Sequence, residues 1–238
     1  MRQKKTIAIL QSSYIPWRGY FDIVGLVDEF VLYDDTQYTR RDWRNRNRIK
    51  TADGLTWLTI PVSVKNKYHQ LIAETEIQDP HWAASHFRSL ELNYRRAAHF
   101  GDYAGLIEGL YREAAKETLL SKVNELFLRA LCEALSIPTR ITQSSSYGDE
   151  GQKTDRLVSI CLQAGATDYL SGPAAKAYLE PEKFAAHGIS LHFMDYDGYS
   201  PYRQLFGAFE PQVSIVDLLF NEGPHARQFM KTPATKTL

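Results

Sequence analysis

The stretch that decides the fold is TIAILQSSYIPWRGYFDIVGLVDEFVLYDD, which runs from Thr6 to Asp35. It opens with the apolar run Ile7–Leu10, a pattern typical of a strand that is buried on both faces. A polar loop over residues 11–19 follows, and apolar residues then recur at helical spacing between Tyr20 and Val27. A second apolar run, Phe30–Tyr33, leads into two acidic residues. This order of strand, loop, helix and strand predicts a βαβ unit with parallel strands.

The rest of the chain alternates between helical and extended patterns. Twice a helical stretch ends at a glycine, Gly165 and Gly188, and is followed by a short apolar strand. Three helices are expected between a start signal at Asp79–Pro80 and residue 135, and Pro61 marks an edge strand or bulge within 57–64. We therefore expect a single α/β domain over 1–238. Its sheet is expected to be mostly parallel and Rossmann-like, with a central helical insertion at about 79–136 and a loose tail at 231–238.

Composition argues against a non-specific binder of nucleic acids or membranes, against a disulfide-linked protein and against a membrane-spanning protein. Lys and Arg number 28, as do Asp and Glu, so the formal net charge is zero. A protein that relies on non-specific attraction to nucleic acids or membranes usually carries net positive charge, so this chain would need a local basic patch. Cys132 and Cys161 lie in apolar helical patterns, which argues against a disulfide framework. No stretch of about 18 residues is free of charge, so we expect no membrane span. We expect a cytoplasmic protein, or a soluble partner of something at the membrane.

The densest chemical signal is YDDTQYTRRDWRNRNRIK, residues 33–50. Arginine offers a planar set of donors that matches phosphate or carboxylate oxygens, and Trp43 offers a face for stacking. The acidic pair follows a predicted strand, whose carboxyl end is where ligands bind in open α/β sheets. The segment therefore indicates a site for an anionic ligand, although it could also be a surface loop that pairs with the chain's own acids. Its candidate residues are Asp34, Asp35, Gln37, Arg41, Trp43, Arg44, Asn45, Arg46 and Lys50.

The loop before the first predicted helix is the second signal. Backbone amides at a helix start can hold an anion, and Gln11 and Tyr14 are its candidate ligand contacts. The loop is not a phosphate loop of either familiar glycine-rich kind. Trp17 and Tyr20 could contact a sugar or base, or they could simply fasten the helix onto the sheet.

Three weaker signals come later in the chain. His86 could act as a general base, although a structural histidine is commoner. Ser171 and Gly172 follow a predicted strand and could present backbone amides to a ligand that Lys176 reaches, or form an ordinary turn. Tyr202 and Gln204 could enter a cleft, or pack as structure. No HExxH or CxxC motif occurs. A metal could bind at Asp34–Asp35, although adjacent carboxylates on a strand point to opposite sides, so no metal is assigned and the cofactor stays undetermined.

Taken together, the sequence resembles the WbqC-like protein family over about residues 6–223. The resemblance rests on the 33–50 block together with GLTWLTIPV, the Trp82–His86 helix, YLSGPAAKAYL and QLFGAFEPQVSIVDLLFNEG. It implies a role beside bacterial O-antigen and other surface-polysaccharide genes, as a transferase that modifies sugars by acyl or aminoacyl transfer, such as glycine onto an amino sugar. The first 35 residues also resemble nucleotidyltransferases of the HIGH type, but this chain has no histidine in the first loop.

The leading hypothesis is a transferase acting on a nucleotide-linked sugar or a similar anionic small molecule, with an aminoacyl donor as a further partner. In this hypothesis Arg41, Arg44 and Arg46 hold a diphosphate, and Trp43 and Tyr14 contact the base or the sugar. Asp35 or His86 accepts a proton, and Lys50 or the backbone amides of Ser171–Gly172 stabilise the oxyanion. Two alternatives stay open. One is a non-catalytic module that recruits a glycosyltransferase, and the other is a protein that contacts single-stranded or transfer RNA.

Overall fold

The structure is a computed structural model that describes residues 4–148 and 150–231. Its strands are β1 (Thr6–Leu10), β2 (Glu29–Leu32), β3 (Arg46–Thr51), β4 (Gly54–Thr59), β5 (Arg140–Gln143), β6 (Asp168–Ser171) and β7 (Ser190–Phe193). Five of them form one sheet in the order β5-β2-β1-β6-β7, and every neighbouring pair is parallel. The predicted α/β fold with a mostly parallel sheet is therefore confirmed.

Counting only the strands of this sheet along the chain gives the order 3-2-1-4-5. That is the order of the first five strands in doubly wound dinucleotide-binding folds. The strand order reverses at β1, which has β2 on one side and β6 on the other. In open sheets of this kind, a crevice opens at the carboxyl ends of the strands where the order reverses. The topology thus places a binding cleft after Leu10 and Ser171.

The sheet is covered on both faces, as the apolar runs in its strands predict. Side chains alternate along each strand, so Ala8 and Phe30 join a large apolar cluster, whereas Ile7, Ile9 and Val31 join a smaller one. The helices that cover the faces are α1 (Arg18–Gly25), α2 (Trp82–Tyr94), α3 (Phe100–Ala114), α4 (Leu120–Ala134), α5 (Thr154–Gln163), α6 (Pro181–Ala185) and α7 (Ile215–Glu222). Residues of α1 to α4 and α7 build the large cluster, and those of α5 and α6 build the small one.

Three helices, α2, α3 and α4, lie between β4 and β5 in the chain, over the range where a helical insertion was expected. The first of them starts later than predicted, at Trp82 rather than at Pro80. The reason is local, because the Asp79 carboxylate accepts a hydrogen bond from the backbone N–H of His81 at 2.9 Å and holds a turn before the helix. Later in the chain, Ser214 caps α7, with its hydroxyl accepting from the Val216 N–H.

The last part of the arginine-rich segment, from Arg46 onward, is a strand rather than a loop. β3 and β4 form an antiparallel hairpin outside the main sheet, with Arg46 opposite Thr59 and Arg48 opposite Trp57. The strand expected over 57–64 ends at Thr59, two residues before Pro61, which cannot donate to a ladder. Residues on one side of β3, Asn47 and Ile49, are buried, whereas the two arginines are partly exposed.

Within the described ranges 4–148 and 150–231, no helix is both long and apolar enough to cross a membrane. The two cysteines are buried and unpaired, and burial raises the pKa of each thiol to about 12. The loose tail predicted for 231–238 lies outside the described residues from 232 onward.

Candidate functional site

A cleft of about 1020 Å³ lies at the carboxyl ends of β1 and β6, where the strand order reverses. Its walls come from the end of β1, the loop before α1, the arginine-rich segment, the turn after β6 and the chain around 196–212. The described residues on these walls include arginine, lysine, glutamine and several aromatic side chains, but no carboxylate, imidazole or thiol. Such a surface suits an anionic ligand that also carries a flat ring or a sugar.

Arg18, at the start of α1, is the most unusual residue on the cleft wall. It is only 3% exposed. Its Nη1 donates to the backbone oxygens of Ser200 and Phe229, both at 2.9 Å, while Nε and Nη2 are buried without a hydrogen-bond partner. The guanidinium lies 4.4 Å from the centre of the Tyr199 ring, and burial lowers its pKa. Unpaired buried donors cost free energy, and here they belong to a residue that lines the cleft.

Arg44 is the second guanidinium on the wall. Its Nη1 donates to the Ser12 carbonyl at 2.9 Å, and its Nε lies 3.7 Å from the Asp42 carboxylate. Behind it, Asp34 is buried and accepts from the Ser12 N–H at 2.8 Å. Burial raises the pKa of Asp34, although the hydrogen bond to Ser12 and the charge of Arg44 oppose that rise. Asp34 therefore supports the loop from behind and does not line the cleft.

Aromatic rings form the third part of the wall. Trp17 packs edge-on against Tyr196 and Tyr199, with ring centres 5.1 and 5.7 Å apart. A Cβ on Gly19 would come within 2.3 Å of the Trp17 ring, so only glycine lets this ring lie against α1. Trp43 stands at the mouth, 40% exposed. These rings offer stacking faces for a base or a sugar.

Several of the predicted residues therefore meet in the cleft. Gln11 lines it while donating to Thr36 at 2.8 Å, and Ser171 and Gly172 form part of the opposite wall. Trp43 and Arg44 complete the set. Lys176 does not join them, because its ammonium lies over the ring of Phe193 at 5.4 Å and the residue is absent from the cleft wall.

Tyr14 and His86 lie elsewhere, where the buried side of α2, which carries His86, contacts Tyr14. The Tyr14 hydroxyl is hydrogen-bonded to His86 Nδ1 at 2.9 Å and to the Tyr111 hydroxyl at 2.5 Å, and Tyr14 is fully buried. Burial lowers the pKa of His86 to about 4, so its ring is neutral at pH 7. Neither side chain is on the cleft wall, and such a weakly basic imidazole is poorly suited to accept a proton.

Lys50, Tyr202 and Gln204 belong to a buried assembly centred on Asp217, which we call the Asp217 network. Asp217 accepts from the hydroxyls of Tyr94 and Tyr202 at 2.7 and 2.6 Å and from the Gln204 amide at 2.8 Å. Lys50 Nζ donates to Gln204 at 2.9 Å and to the carbonyl of Ala208. The donors and acceptors of these predicted site residues are thus occupied by the protein, away from the cleft.

The remaining predicted residues surround the hairpin. Asn45 is buried and donates to the Ile60 carbonyl at 2.8 Å, and Gln37 donates to that of Tyr68 at 2.9 Å. Arg46 stacks on Trp57 at 4.2 Å, while Arg41 is exposed. None of the four lies on the cleft wall.

A second pocket, of about 670 Å³, adjoins the cleft and shares Tyr33 and Lys153 with it. Asp35 lies on its wall, where its carboxylate accepts from the Ser144 hydroxyl at 2.6 Å and from Arg156 at 3.2 Å. Of the three residues predicted to be catalytic, Asp35 is the one that lies beside the cleft. Within the described ranges, no group of three or more His, Cys, Asp or Glu residues is arranged to hold a metal ion.

Sequence reasoning missed Arg18 and Lys153. A signal existed for each, because Arg18 stands in the loop before the first predicted helix and Lys153 precedes α5, after another parallel strand. Both positions follow the carboxyl end of a strand, where ligand residues concentrate. The sequence does not indicate which arginines of the 33–50 segment interact with other groups of the protein and which line the cleft.

Comparison with known proteins gives one family and one relative. The sequence model of the WbqC-like protein family matches residues 11–229. A protein of Mycobacterium tuberculosis (strain ATCC 25618 / H37Rv), named "Uncharacterized protein Rv1507c", is 51% identical over 227 residues, which is 95% of this chain and 98% of that protein. No solved structure matches the chain.

Proposed function

This chain belongs to the WbqC-like protein family, and from that premise and the chemistry of the cleft we propose that it is a transferase that modifies a nucleotide-linked amino sugar. The reaction we propose is acyl or aminoacyl transfer, such as that of glycine, in the synthesis of bacterial O-antigen or another surface polysaccharide. The observation that carries the proposal is the cleft at the strand reversal, whose wall carries the guanidinium-bearing residues Arg18 and Arg44 beside aromatic rings.

Arg18 and Arg44 would hold the diphosphate. Both guanidinium groups lie on the cleft wall, and arginine matches phosphate oxygens in a bidentate way. Trp43 and the Trp17–Tyr199 rings would pack against the base or the sugar. Arg41 and Arg46, which were also expected to hold the diphosphate, have no part in this version because they lie away from the wall.

The group-transfer step would need an acyl or aminoacyl donor activated as an ester or thioester. The nitrogen of the sugar amine attacks the carbonyl carbon of that donor and forms an amide. The carbon–oxygen or carbon–sulfur bond of the donor breaks, and the alcohol or thiol leaves with the proton that the amine loses. Asp35, in the adjoining pocket, would relay that proton, and the amides of Ser171 and Gly172 would stabilise the developing oxyanion.

Calorimetric titration with UDP-, GDP- and dTDP-linked amino sugars tests the proposal. Arg44→Met should weaken binding by about tenfold or more, because it removes a charge-assisted contact to phosphate. Arg41→Met is the matched control and should bind as the wild type does, since Arg41 is exposed and outside the cleft. Unchanged binding in both Arg44→Met and Arg18→Met, or no binding of any of these compounds to the wild type, would refute the proposal.

Two observations support other functions. The absence of a carboxylate or imidazole from the described residues of the cleft wall favours a binding module that recruits another enzyme. Nucleotide binding without turnover, when acyl esters and thioesters are supplied, would support that alternative.

RNA contact is favoured by the exposed pair Trp43 and Trp57, whose ring centres are 5.3 Å apart and which lie near Arg46 and Arg48. Such a surface resembles a stacking platform for single strands. A filter-binding assay that shows salt-dependent RNA affinity, lost in Trp57→Ala, would support this function.

A further inference from the structure

The second pocket differs in chemistry from the cleft that it adjoins. It lies beside the carboxyl ends of β2 and β5, and its walls include the Asp35 carboxylate and the hydroxyl groups of Ser145 and Ser146. The cleft wall, in contrast, is aromatic and cationic. A molecule that extends from one cavity into the other would therefore pass from a surface that suits phosphate to one that suits hydrogen-bond donors.

Arg156 lies behind Asp35, but its donors are used within the protein. Nη2 is 3.2 Å from both the Asp35 carboxylate and the Ser144 carbonyl, and Nη1 donates to the carbonyl of Gly148. The residue is only 4% exposed. The pocket is therefore not a second anion site, even though an arginine forms part of its wall.

Asp35, by comparison, has accepting capacity left. A carboxylate offers about four lone-pair positions, and Asp35 uses one for the Ser144 hydroxyl and one for Arg156. Its side chain is 29% exposed, on the wall of the pocket. A ligand can thus donate to this carboxylate without displacing either internal partner. An amine with neighbouring hydroxyl groups has the donors that this wall requires.

Lys153 stands where the two cavities meet. Its side chain is exposed and makes no hydrogen bond or ion pair within residues 4–148 and 150–231. Its backbone has φ 52° and ψ −124°, a conformation that favours glycine, yet the chain carries lysine there. An ammonium at this point can contact a phosphate in the cleft or a group that passes between the cavities.

We propose that this second pocket, the Asp35 pocket, binds the amine-bearing sugar of a nucleotide-linked ligand, with the amine on Asp35 and the phosphate beside Lys153. The inference rests on the proposed function, because it takes the cleft as the place of the nucleotide diphosphate. It adds the substrate class of the second cavity and assigns Asp35 to recognition of the amine. The two cavities together, about 1020 and 670 Å³, would then hold one extended ligand.

The test compares ligands that differ only at the sugar: UDP, UDP-glucose and UDP-glucosamine, or the GDP or dTDP series if the cleft binds that base. Calorimetry on the wild type should show at least tenfold tighter binding of the amino sugar than of its hydroxyl counterpart. Asp35→Asn should abolish that preference and leave the affinity for the free nucleoside diphosphate unchanged. Asp53→Asn, at an exposed acid in the β3–β4 turn, is the matched control and should keep the preference.

Ser146→Trp provides a second route if Asp35→Asn does not fold. Ser146 is exposed, so a large side chain there fills the pocket from its solvent side. We expect this variant to lose the affinity that the amino sugar adds, while UDP still binds.

Two failures can be told apart. If the amino-sugar preference is missing in the wild type, or survives in both variants while UDP binding depends on Arg44, the inference is wrong and the proposed function stands. If no nucleoside diphosphate or nucleotide-linked sugar binds at all, both are wrong. Free glucosamine, titrated in the presence of saturating UDP, distinguishes the source of the amine. Asp35-dependent binding of this free amine, without a preference for UDP-glucosamine, would overturn the claim that the nucleotide carries the amine.

Discussion

The Asp217 network and the cleft wall both contain lysine, glutamine and tyrosine beside a buried charged group, but they differ in how the polar atoms of that group are satisfied. In the network, the Asp217 carboxylate accepts three hydrogen bonds and Lys50 donates two. On the cleft wall, Arg18 leaves Nε and Nη2 without a partner although it is just as buried. Both arrangements desolvate charge. Arg18 regains two hydrogen bonds through Nη1, but its other two nitrogens regain none.

This difference separates structural polar groups from binding groups. Buried polar atoms in native proteins are nearly always paired, so an unpaired donor on the wall of a cavity calls for an explanation. A ligand oxygen would complete Arg18 in the way that Tyr94 and Tyr202 complete Asp217. The contrast predicts that changes in the network act on stability, whereas changes on the wall act on binding.

The largest effect is expected from Asp217→Ala. It leaves two tyrosine hydroxyls and the Gln204 amide without their acceptor, and it leaves the charge of Lys50 buried without an opposing one. We expect the free energy of unfolding to fall by about 3–5 kcal/mol, measured by urea denaturation. Asp53→Ala, at an exposed acid, should change it by less than about 0.5 kcal/mol. A loss below about 1 kcal/mol in Asp217→Ala would show that the network does not stabilise the fold.

An intermediate effect is expected from pH, through His86. Its pKa is about 4 in the folded protein, because the ring is buried, and about 6.5 when unfolded. The unfolded state therefore binds more protons between these values, so the stability is present above pH 6.5 and is lost as the pH falls towards 4. At pH 5 the loss should be about 2 kcal/mol relative to pH 7.5.

The measurement that isolates His86 is the difference between two curves of unfolding free energy against pH, for the wild type and for His86→Gln. The variant is less stable at neutral pH, since it loses the bond to Tyr14, but its curve should be flatter between pH 6.5 and 4. Parallel curves would contradict burial as the source of the acid sensitivity. We expect His86→Gln to leave the ligand affinity unchanged, because the His86 ring is not on the cleft wall.

Periodicity and turn chemistry were enough to predict most of the sheet. The apolar runs at Ile7–Leu10 and Phe30–Tyr33, and the two helix–glycine–strand units, predicted strands that all occur in the parallel sheet. These signals are local, because they depend on residues that lie close together in the sequence. The hairpin was harder to predict, since alternating arginines and amides on β3 resemble a polar loop when the burial of Asn47 and Ile49 is unknown.

The site was less predictable because its chemistry depends on partners that are distant in the sequence. Lys50 and Gln204 are 154 positions apart, and Tyr94 and Asp217 are 123 positions apart. The local sequence does not distinguish Arg44, which lines the cleft, from Arg46, which stacks on Trp57. Residue type therefore identified the correct segment, and only the tertiary structure selected the residues.

The smallest effect, and the sharpest test of the contrast, concerns Lys153. Glycine at this position relieves an unfavourable backbone conformation, so Lys153→Gly should raise the free energy of unfolding by about 1 kcal/mol. Lys153→Ala removes the same charge but keeps the strain, and its stability should stay at the wild-type value. Both variants should bind the nucleotide-linked amino sugar more weakly, by about tenfold, in the same calorimetric assay. A Lys153→Gly variant that is more stable but binds more weakly would show that Lys153 contributes to ligand binding at a cost in stability. If Lys153→Gly gained stability without losing affinity, the strained lysine would have no role in binding.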